Sequence, residues 1–342
     1  MPKPPATKSP LKNRRAFQGA LLRWFADCGR DYPWRRTTDP YAILVSEVML
    51  QQTTVGAVLR NRRFERFLDD FPDLASLAAA PEPALLKAWE GLGYYNRVRN
   101  LQKTAQAVLA DHAGVFPSDP ARLATLPGVG RYIAGALATF AFNRPVPVVE
   151  ANIARVLTRL FDAREPIDTA AGREQLWEWA AALVPAGDPR LFNSALMELG
   201  QSHCSGKSPA CLPCPVRAFC KTRRPGDLPV KKPKRETVTL TEHVLFARRR
   251  NGALLLSREE GARRRGLWKL PERPAEAVAD LPRLATRKYS ITHHRVTLHI
   301  HRCPPAAVPP PPDGAVERFH PPGDLAELPM PSPFRKALEA LL

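Results

Sequence analysis

Acidic side chains are scarce in this sequence: 33 Asp and Glu stand against 51 Lys and Arg, a formal charge of +18 over 342 residues. That balance argues against an acidic, self-solvating chain and favours a polyanionic partner, either nucleic acid or an anionic membrane surface. Long apolar runs are missing as well. None approaches the roughly 20 residues of a membrane-spanning helix, so no membrane passage is expected. Met1 to Pro10 is rich in Pro and Lys with no apolar segment behind it, so no secretory leader is expected and the reading is cytoplasmic, on the nucleoid if the polyanion is DNA. Cysteine is sparse outside one segment. Of six, four crowd between Cys204 and Cys220, while Cys28 and Cys303 stand alone. A disulfide framework would spread its cysteines; a crowded quartet reads as a metal or cluster site. Tandem repeats are absent, and alternating strand-like patterns are nearly absent before Leu199.

What is present suffices for two domains, with 44% hydrophobic residues to fill their cores. Residues 1–12 read as a disordered basic tail. Phe17, Leu21, Trp24 and Phe25 share one helix face. Ala42 to Leu59 reads as a helix with Leu44, Val48 and Val55 on its apolar stripe. Asp119 before Pro120 reads as an N-cap followed by proline at the first helical position. Ile153, Val156, Leu157 and Leu160 mark another amphipathic helix. After Cys220, Lys221 to Arg235 is basic and Pro-containing, as a linker is. Thr237–Leu240 and Val244–Ala247 then read as strands, Asn251-Gly252 as a hairpin turn with Ala253–Leu256 returning, and Val296–Ile300 as a further strand. Pro304–Pro312 reads as an irregular loop.

Four elements carry chemistry. The quartet Cys204-x6-Cys211-x2-Cys214-x5-Cys220 suits a tetrahedral zinc ion or a [4Fe–4S] cluster, and spacing alone does not separate them. Lys207, Arg217 and Lys221 on the same segment could touch phosphates. Leu126-Pro127-Gly128-Val129-Gly130-Arg131-Tyr132 reads as a helix-hairpin-helix turn, in which Gly128 and Gly130 permit positive φ and close backbone approach, so that N–H groups at a helix start can bind a phosphate. Glu47 lies among Val45, Val48 and Met49; taken alone it reads as a helix-surface glutamate facing solvent, whereas a carboxyl in apolar surroundings holds its proton near neutral pH and suits a general acid. Glu150, ahead of the amphipathic helix, reads either as a first-turn acid complementing the helix dipole or as a second carboxylate facing a developing cation.

In this order the elements resemble the MutY adenine DNA glycosylases of the helix-hairpin-helix, endonuclease III superfamily. The resemblance covers residues of about 11–225. Its further carriers are Tyr32-Pro33-Trp34-Arg35, Asp39-Pro40-Tyr41, Ser46-Glu47-Val48-Met49-Leu50-Gln51-Gln52-Thr53, Gly91-Leu92-Gly93-Tyr94-Tyr95, Arg99-Asn100-Leu101 and Ala195-Leu196-Met197-Glu198-Leu199-Gly200. It implies a mostly α glycosylase fold over 13–222, with a six-helix barrel at about 38–142 and an iron–sulfur subdomain from 13–37 and 143–222. A linker at 223–237 and a smaller α+β, Nudix-like lesion-recognition domain at 238–342 would follow. The implied cofactor is a [4Fe–4S] cluster on Cys204, Cys211, Cys214 and Cys220. The implied partner is double-stranded DNA carrying a mispair, bound by a monomer. The implied reaction is base excision repair: hydrolysis of the N-glycosidic bond of adenine opposite 8-oxoguanine or guanine. By motif position Glu47 would protonate the base and Glu150 stabilise the sugar cation, with Tyr132 and Asn152 supporting the geometry. Gln52 and Tyr94 would wedge into the duplex, Gly128, Gly130 and Arg131 would hold the backbone, and Arg30, Tyr32 and Trp34 would line the base pocket. Bifunctional relatives carry a Schiff-base lysine where this chain has Tyr132, so monofunctional action is expected.

The departures from the family pattern are informative. Glu150-Ala151-Asn152 replaces Asp-Gly-Asn, which displaces a carboxylate by about an ångström unless the backbone retreats, a scale of misplacement worth about 100-fold in rate. Ser194 stands where Gln or Glu would meet the adenine edge. Ile291-Thr292-His293 stands where the family places Phe-Ser-His, so Thr292 and His293 keep the hydrogen-bonding character for lesion recognition while the ring is lost. Gly266-Leu267-Trp268-Lys269-Leu270-Pro271 fits the C-terminal domain of the family, and no paired-glutamate signature for pyrophosphate hydrolysis is visible. The alternatives are the same scaffold with changed base specificity, for instance thymine or uracil opposite guanine, a catalytically weak DNA-damage binding protein, and a zinc-stabilised DNA-binding protein.

Overall fold

The computed structural model describes residues 11–233, 236–261 and 264–342. The basic tail expected at 1–12 therefore lies almost wholly outside the described residues. In chain order the helices are α1 (Arg14–Cys28), α2 (Pro40–Leu50), α3 (Val55–Leu59), α4 (Arg63–Asp70), α5 (Leu74–Ala79), α6 (Glu82–Ala88), α7 (Asn96–His112), α8 (Pro120–Leu123), α9 (Arg131–Phe140), α10 (Ala151–Phe161), α11 (Ala170–Leu183), α12 (Pro189–Ser202) and α13 (Ser332–Glu339). Before α13 come the strands β1 (Val238–Phe246), β2 (Leu254–Arg258), β3 (Trp268–Lys269), β4 (Glu272–Arg273), β5 (Arg283–Ile291), β6 (His294–Arg302) and β7 (Val316–His320). Among the described residues no single helix is long and apolar enough to cross a membrane.

The chain divides into two compact units. One takes the described residues of Met1–Gln52, Asp73–Ala75 and Lys103–Pro233; the other takes those of Thr53–Pro72, Ser76–Gln102 and Lys234–Leu342. The first is helical throughout. Its α2 is buried on every face, Tyr41 to Met49 without exception, as expected of a helix apolar all round. Asp39 starts α2 by accepting the N–H groups of Tyr41 and Ala42, with proline at the first helical position. Asp119 does the same for α8. The helix at Ile153–Leu160 buries all four of its expected apolar residues. The aromatic centre of α1 is Phe17, edge-on to Phe192 and Phe219.

The helix expected over Ala42–Leu59 is in fact two. It stops at Leu50, Gln52 takes φ +54°, and Thr54 caps α3 through the Ala57 N–H. A threonine hydroxyl that captures a backbone donor competes with helix continuation, so Val55 opens a new element.

In the second unit α4, α6 and the start of α7 enclose Trp89, which is fully buried against Phe67. The strands form a four-stranded sheet ordered β4-β1-β6-β5 and a three-stranded sheet ordered β3-β2-β7. β1 and β6 run parallel, Val238 opposite His294 through Phe246 opposite Arg302. Val244, Leu254, Leu256, Leu298, Ile300, Met330 and Phe334 fill the larger core. The two strands expected at 237–240 and 244–247 are one continuous β1. The Asn251-Gly252 turn exists, with Gly252 at φ +85°. Only an isolated bridge, Arg248 to Leu254, joins its arms, because β2 pairs instead with β3 and β7.

Candidate active site

Glu47 sits in the second half of α2 and is 5% exposed. Burial drives its carboxyl up to about 7, the nearby charge of Glu150 pushes the same way, and a hydrogen bond from Tyr132 opposes both. That bond, Tyr132 Oη to Glu47 Oε2, measures 2.5 Å. Burial raises the Tyr132 phenol well above its ordinary value, so it stays a donor. The consequence is a buried carboxyl that carries a proton for much of the time at neutral pH.

Glu150 caps α10 with both oxygens. Oε1 accepts the Ile153 N–H at 2.9 Å; Oε2 accepts the Asn152 N–H at 2.7 Å and the Asn152 side-chain amide at 3.0 Å. Burial raises its pKa, and those hydrogen bonds pull against the rise. The capping reading of Glu150 is the one observed: the carboxylate sits on the helix N-terminus, and its charge is felt at Glu47 and Tyr132. Asn152 is oriented from behind. Its Oδ1 accepts from Arg155 at 2.7 Å, and the same guanidinium reaches the carbonyls of Gly200 and Cys204, each at 2.6 Å. α12 comes so close here that a Cβ on Gly200 would lie 2.6 Å from that of Asn152.

Tyr132 is delivered by the turn before α9. Gly128 has φ +76°, as the hairpin requires. Gly130 does not use positive φ: it is extended, φ −86°, ψ 178°, as the N-cap of α9, a position glycine fills without strain. Nothing stands within 4 Å of a Cβ built on it, which leaves its backbone open to close approach. Leu126 and Val129 anchor the turn in the core, and Thr104 donates to the Pro127 carbonyl at 2.6 Å. Arg131 is exposed, paired bidentately with Glu174 and laid over Trp177.

The residues expected to line the base pocket form one stack. The Tyr32 and Trp34 rings lie 5.1 Å apart. Arg30 and Arg35 approach the Tyr32 ring at 5.3 and 4.8 Å, and both donate to Glu198, a carboxylate 1% exposed. The Tyr32 hydroxyl is buried without a hydrogen-bond partner.

Sequence comparison meets this geometry from outside. Residues 45–182 match the HhH-GPD superfamily base excision DNA repair protein family. The adenine DNA glycosylase of Homo sapiens is 40% identical over 218 residues, 61% of this chain and 40% of that protein. The adenine DNA glycosylase of Buchnera aphidicola subsp. Baizongia pistaciae is 31% identical over 257 residues, 74% of this chain and 71% of that one. The chain belongs to the adenine DNA glycosylase family. It spans about two fifths of the human relative. Among solved structures, a thermostable thymine-DNA glycosylase superposes with TM-score 0.56 at 31% identity, covering 61% of this chain and 96% of that one. A non-covalent endonuclease III–DNA complex gives TM-score 0.51 at 25%, covering 60% and 93%.

The cysteine segment of this family member packs on α10. Arg159, 1% exposed, holds the carbonyls of Ser205, Gly206 and Leu228 and points Nη1 at Cys204 Sγ, 3.4 Å away. Among the described residues no three His, Cys, Asp or Glu side chains stand at metal-ligand spacing. The four thiols do face a shared environment: burial pushes Cys214 up to about 11, and Cys204, Cys220 and Cys211 each add to the rise. Four thiols without a carboxylate are a donor set for zinc or iron–sulfur.

Gln52 is exposed at the end of α2 with its backbone in the left-handed region. Tyr94, Thr292 and His293 belong to the second unit. Tyr94 is 51% exposed at φ +48°. Thr292 and His293 form the two-residue turn between β5 and β6, where Ile291 pairs with His294 and Thr292 adopts φ +53°. A β-branched residue there is strained. Sequence reasoning passed over Arg155, Glu198 and Arg97. Arg155 could have been found from its i+3 spacing to Asn152, and Glu198 from its place inside an apolar helix. Arg97 carries no sequence signal, yet its guanidinium holds Thr53 and the carbonyls of Leu92 and Gly93.

Proposed function

We propose that this chain is a monofunctional DNA glycosylase that hydrolyses the N-glycosidic bond of adenine mispaired with 8-oxoguanine or guanine. The observation that carries it is Glu47: a buried carboxyl poised near neutrality, held by Tyr132 and within electrostatic reach of a second, hydrogen-bonded carboxylate. Two carboxyl groups in environments that separate their roles are what acid-assisted cleavage through a sugar cation requires. Glu47 gives its proton to the departing base. Glu150, whose charged form the N–H groups of the α10 N-terminus favour, stabilises the cation that remains, and water completes hydrolysis. Position 132 offers a phenol rather than an amine, so no imine to the sugar forms and the strand is left intact.

Cys204, Cys211, Cys214 and Cys220 would hold the [4Fe–4S] cluster that the family carries, and the cluster would brace the segment bearing Lys207, Arg217 and Lys221 against DNA. The unit containing β1–β7 would read the base opposite, in the manner of a Nudix-like domain, through Thr292 and His293. The likeness to endonuclease III in its DNA complex and the charge of +18 support a duplex partner. Ser194, small and 8% exposed, and the likeness to a thymine-DNA glycosylase favour a second reading, excision of a pyrimidine opposite guanine.

The test is a single-turnover reaction on a duplex with one adenine opposite 8-oxoguanine, followed by alkali. Wild type should yield scission only after alkali, and Glu47→Gln should be slower by at least about 100-fold. Scission of thymine but not adenine substrates would establish the second reading. Binding without scission on either would overturn both.

A further inference from the structure

Tyr94 is an aromatic ring held out into water on a strained backbone, between Gly91 (φ +87°) and Gly93 (φ +72°) on one side and α7 on the other. Left-handed backbone at a tyrosine persists only where its surroundings enforce it. Inside the turn, Arg97 supplies part of that enforcement: it holds the Leu92 and Gly93 carbonyls and lies 5.7 Å from the Tyr94 ring centroid.

The rest comes from the other end of the chain. Glu90, immediately before the turn, receives a two-pronged bond from Arg335 of α13, Nε to Oε1 at 2.7 Å and Nη2 to Oε2 at 3.1 Å. Arg335 is itself fixed by the carbonyls of Leu325 and Leu328, each at 2.6 Å. Tyr95, immediately after Tyr94, is 5% exposed and directs its hydroxyl at the Met330 carbonyl, 3.4 Å away. Lys87 bonds both Glu90 and the Ala326 carbonyl. Residues 325–335 therefore grip the turn on both flanks of Tyr94. The Glu90–Arg335 pair is largely buried, 17% and 19% exposed, and bidentate, the geometry that adds direction as well as attraction.

We propose that Arg335 is a positioning residue for Tyr94: by clamping Glu90 it holds the ring in the pose that stacks on DNA bases. The inference rests on the reading of this chain as a DNA glycosylase. It adds that the C-terminal segment acts on the wedge as well as on the lesion. A ring that must be ordered on binding loses affinity to that ordering, whereas one already ordered does not.

The experiment uses the full chain with a duplex carrying 2-aminopurine beside the target adenine. Fluorescence reports unstacking, and single-turnover rates against enzyme concentration separate half-saturation from plateau. Arg335→Met should raise half-saturation about tenfold, the scale of one lost base–aromatic stack, lower the fluorescence amplitude and leave the plateau rate within about twofold. Tyr94→Ala should raise half-saturation and lower the amplitude at least as much, and the double variant should be no worse in half-saturation than Tyr94→Ala. Additive losses would show that Arg335 acts elsewhere and would overturn the proposal, as would an Arg335→Met indistinguishable from wild type. If Arg335→Met melts before assay, Glu90→Gln, of the same shape, replaces it with the same expectations. Wild type that unstacks the duplex without cutting adenine would sink the glycosylase reading while leaving the clamp measurable.

Discussion

Glu47 holds its function at the expense of its neighbours' preference for a neutral residue. A carboxyl whose folded pKa is raised from 4.5 to about 7 contributes stability that is fully present below the unfolded value and is lost as pH rises through the folded one. Wild type should therefore lose stability between about pH 4.5 and 7. Glu47→Gln should escape that loss and melt higher at pH 8, by up to about 3 kcal/mol. Calorimetric melts at pH 5 and pH 8 check it, and equal pH dependence of the two proteins would refute the assignment of that carboxyl. Activity carries the same sign: the single-turnover rate should fall as pH rises above about 7, because the proton to be donated is gone. Glu47 was legible in the sequence through the motif around it rather than through its apolar neighbours alone. Its partner geometry was not, since Tyr132 lies 85 residues away.

At the scale of the element, the start of α10 is capped by the carboxylate to which the proposed reaction assigns the sugar cation. Glu150→Gln keeps one acceptor oxygen, enough for one of the Asn152 and Ile153 N–H groups, turns an NH2 toward the other and removes the charge. The rate should fall by at least about 100-fold while the loss of stability stays near the 1 kcal/mol of an altered cap. If Gln behaves as wild type in the cleavage assay, the carboxylate at 150 is a cap and nothing more. Gly200→Ala tests the packing that supports Asn152. With its Cβ directed at a neighbour 2.6 Å away, α12 must retreat, and both melting temperature and rate should drop. The cap at Asp119 was legible because proline and the capping acid sit side by side; Asp39 and Pro40 carry the same pairing, though the helix was expected to start only at Ala42. The break after Leu50 was not, because a threonine hydroxyl at 54 outcompetes a continuing apolar stripe. The sheet order was also hidden: β1 pairs with β6 at a constant sequence separation of 56, Val238 to His294, and no local pattern encodes that.

At the scale of the whole molecule, charge sets how the chain meets DNA. If the excess of basic residues contacts phosphates, affinity should weaken steeply with salt, by roughly 10³-fold between about 50 and 200 mM for about six contacts. Titrations at several salt concentrations measure the slope, and a flat one would remove electrostatics from the account. The cysteine quartet and the glycine turn announced themselves through spacing within a few residues. The bonds that join distant parts did not: Arg155 to the Cys204 carbonyl spans 49 positions and Arg335 to Glu90 spans 245. Both pairs are of ordinary residue types, and only folding brings them together.

The cap at Glu150 has a consequence beyond stability. Its oxygens already hold three N–H donors before any substrate arrives. A carboxylate in water must turn its solvent shell to meet a growing positive charge, and that reorganisation is part of the barrier. Here the shell is made of backbone and amide dipoles fixed by a helix, so little of it has to turn.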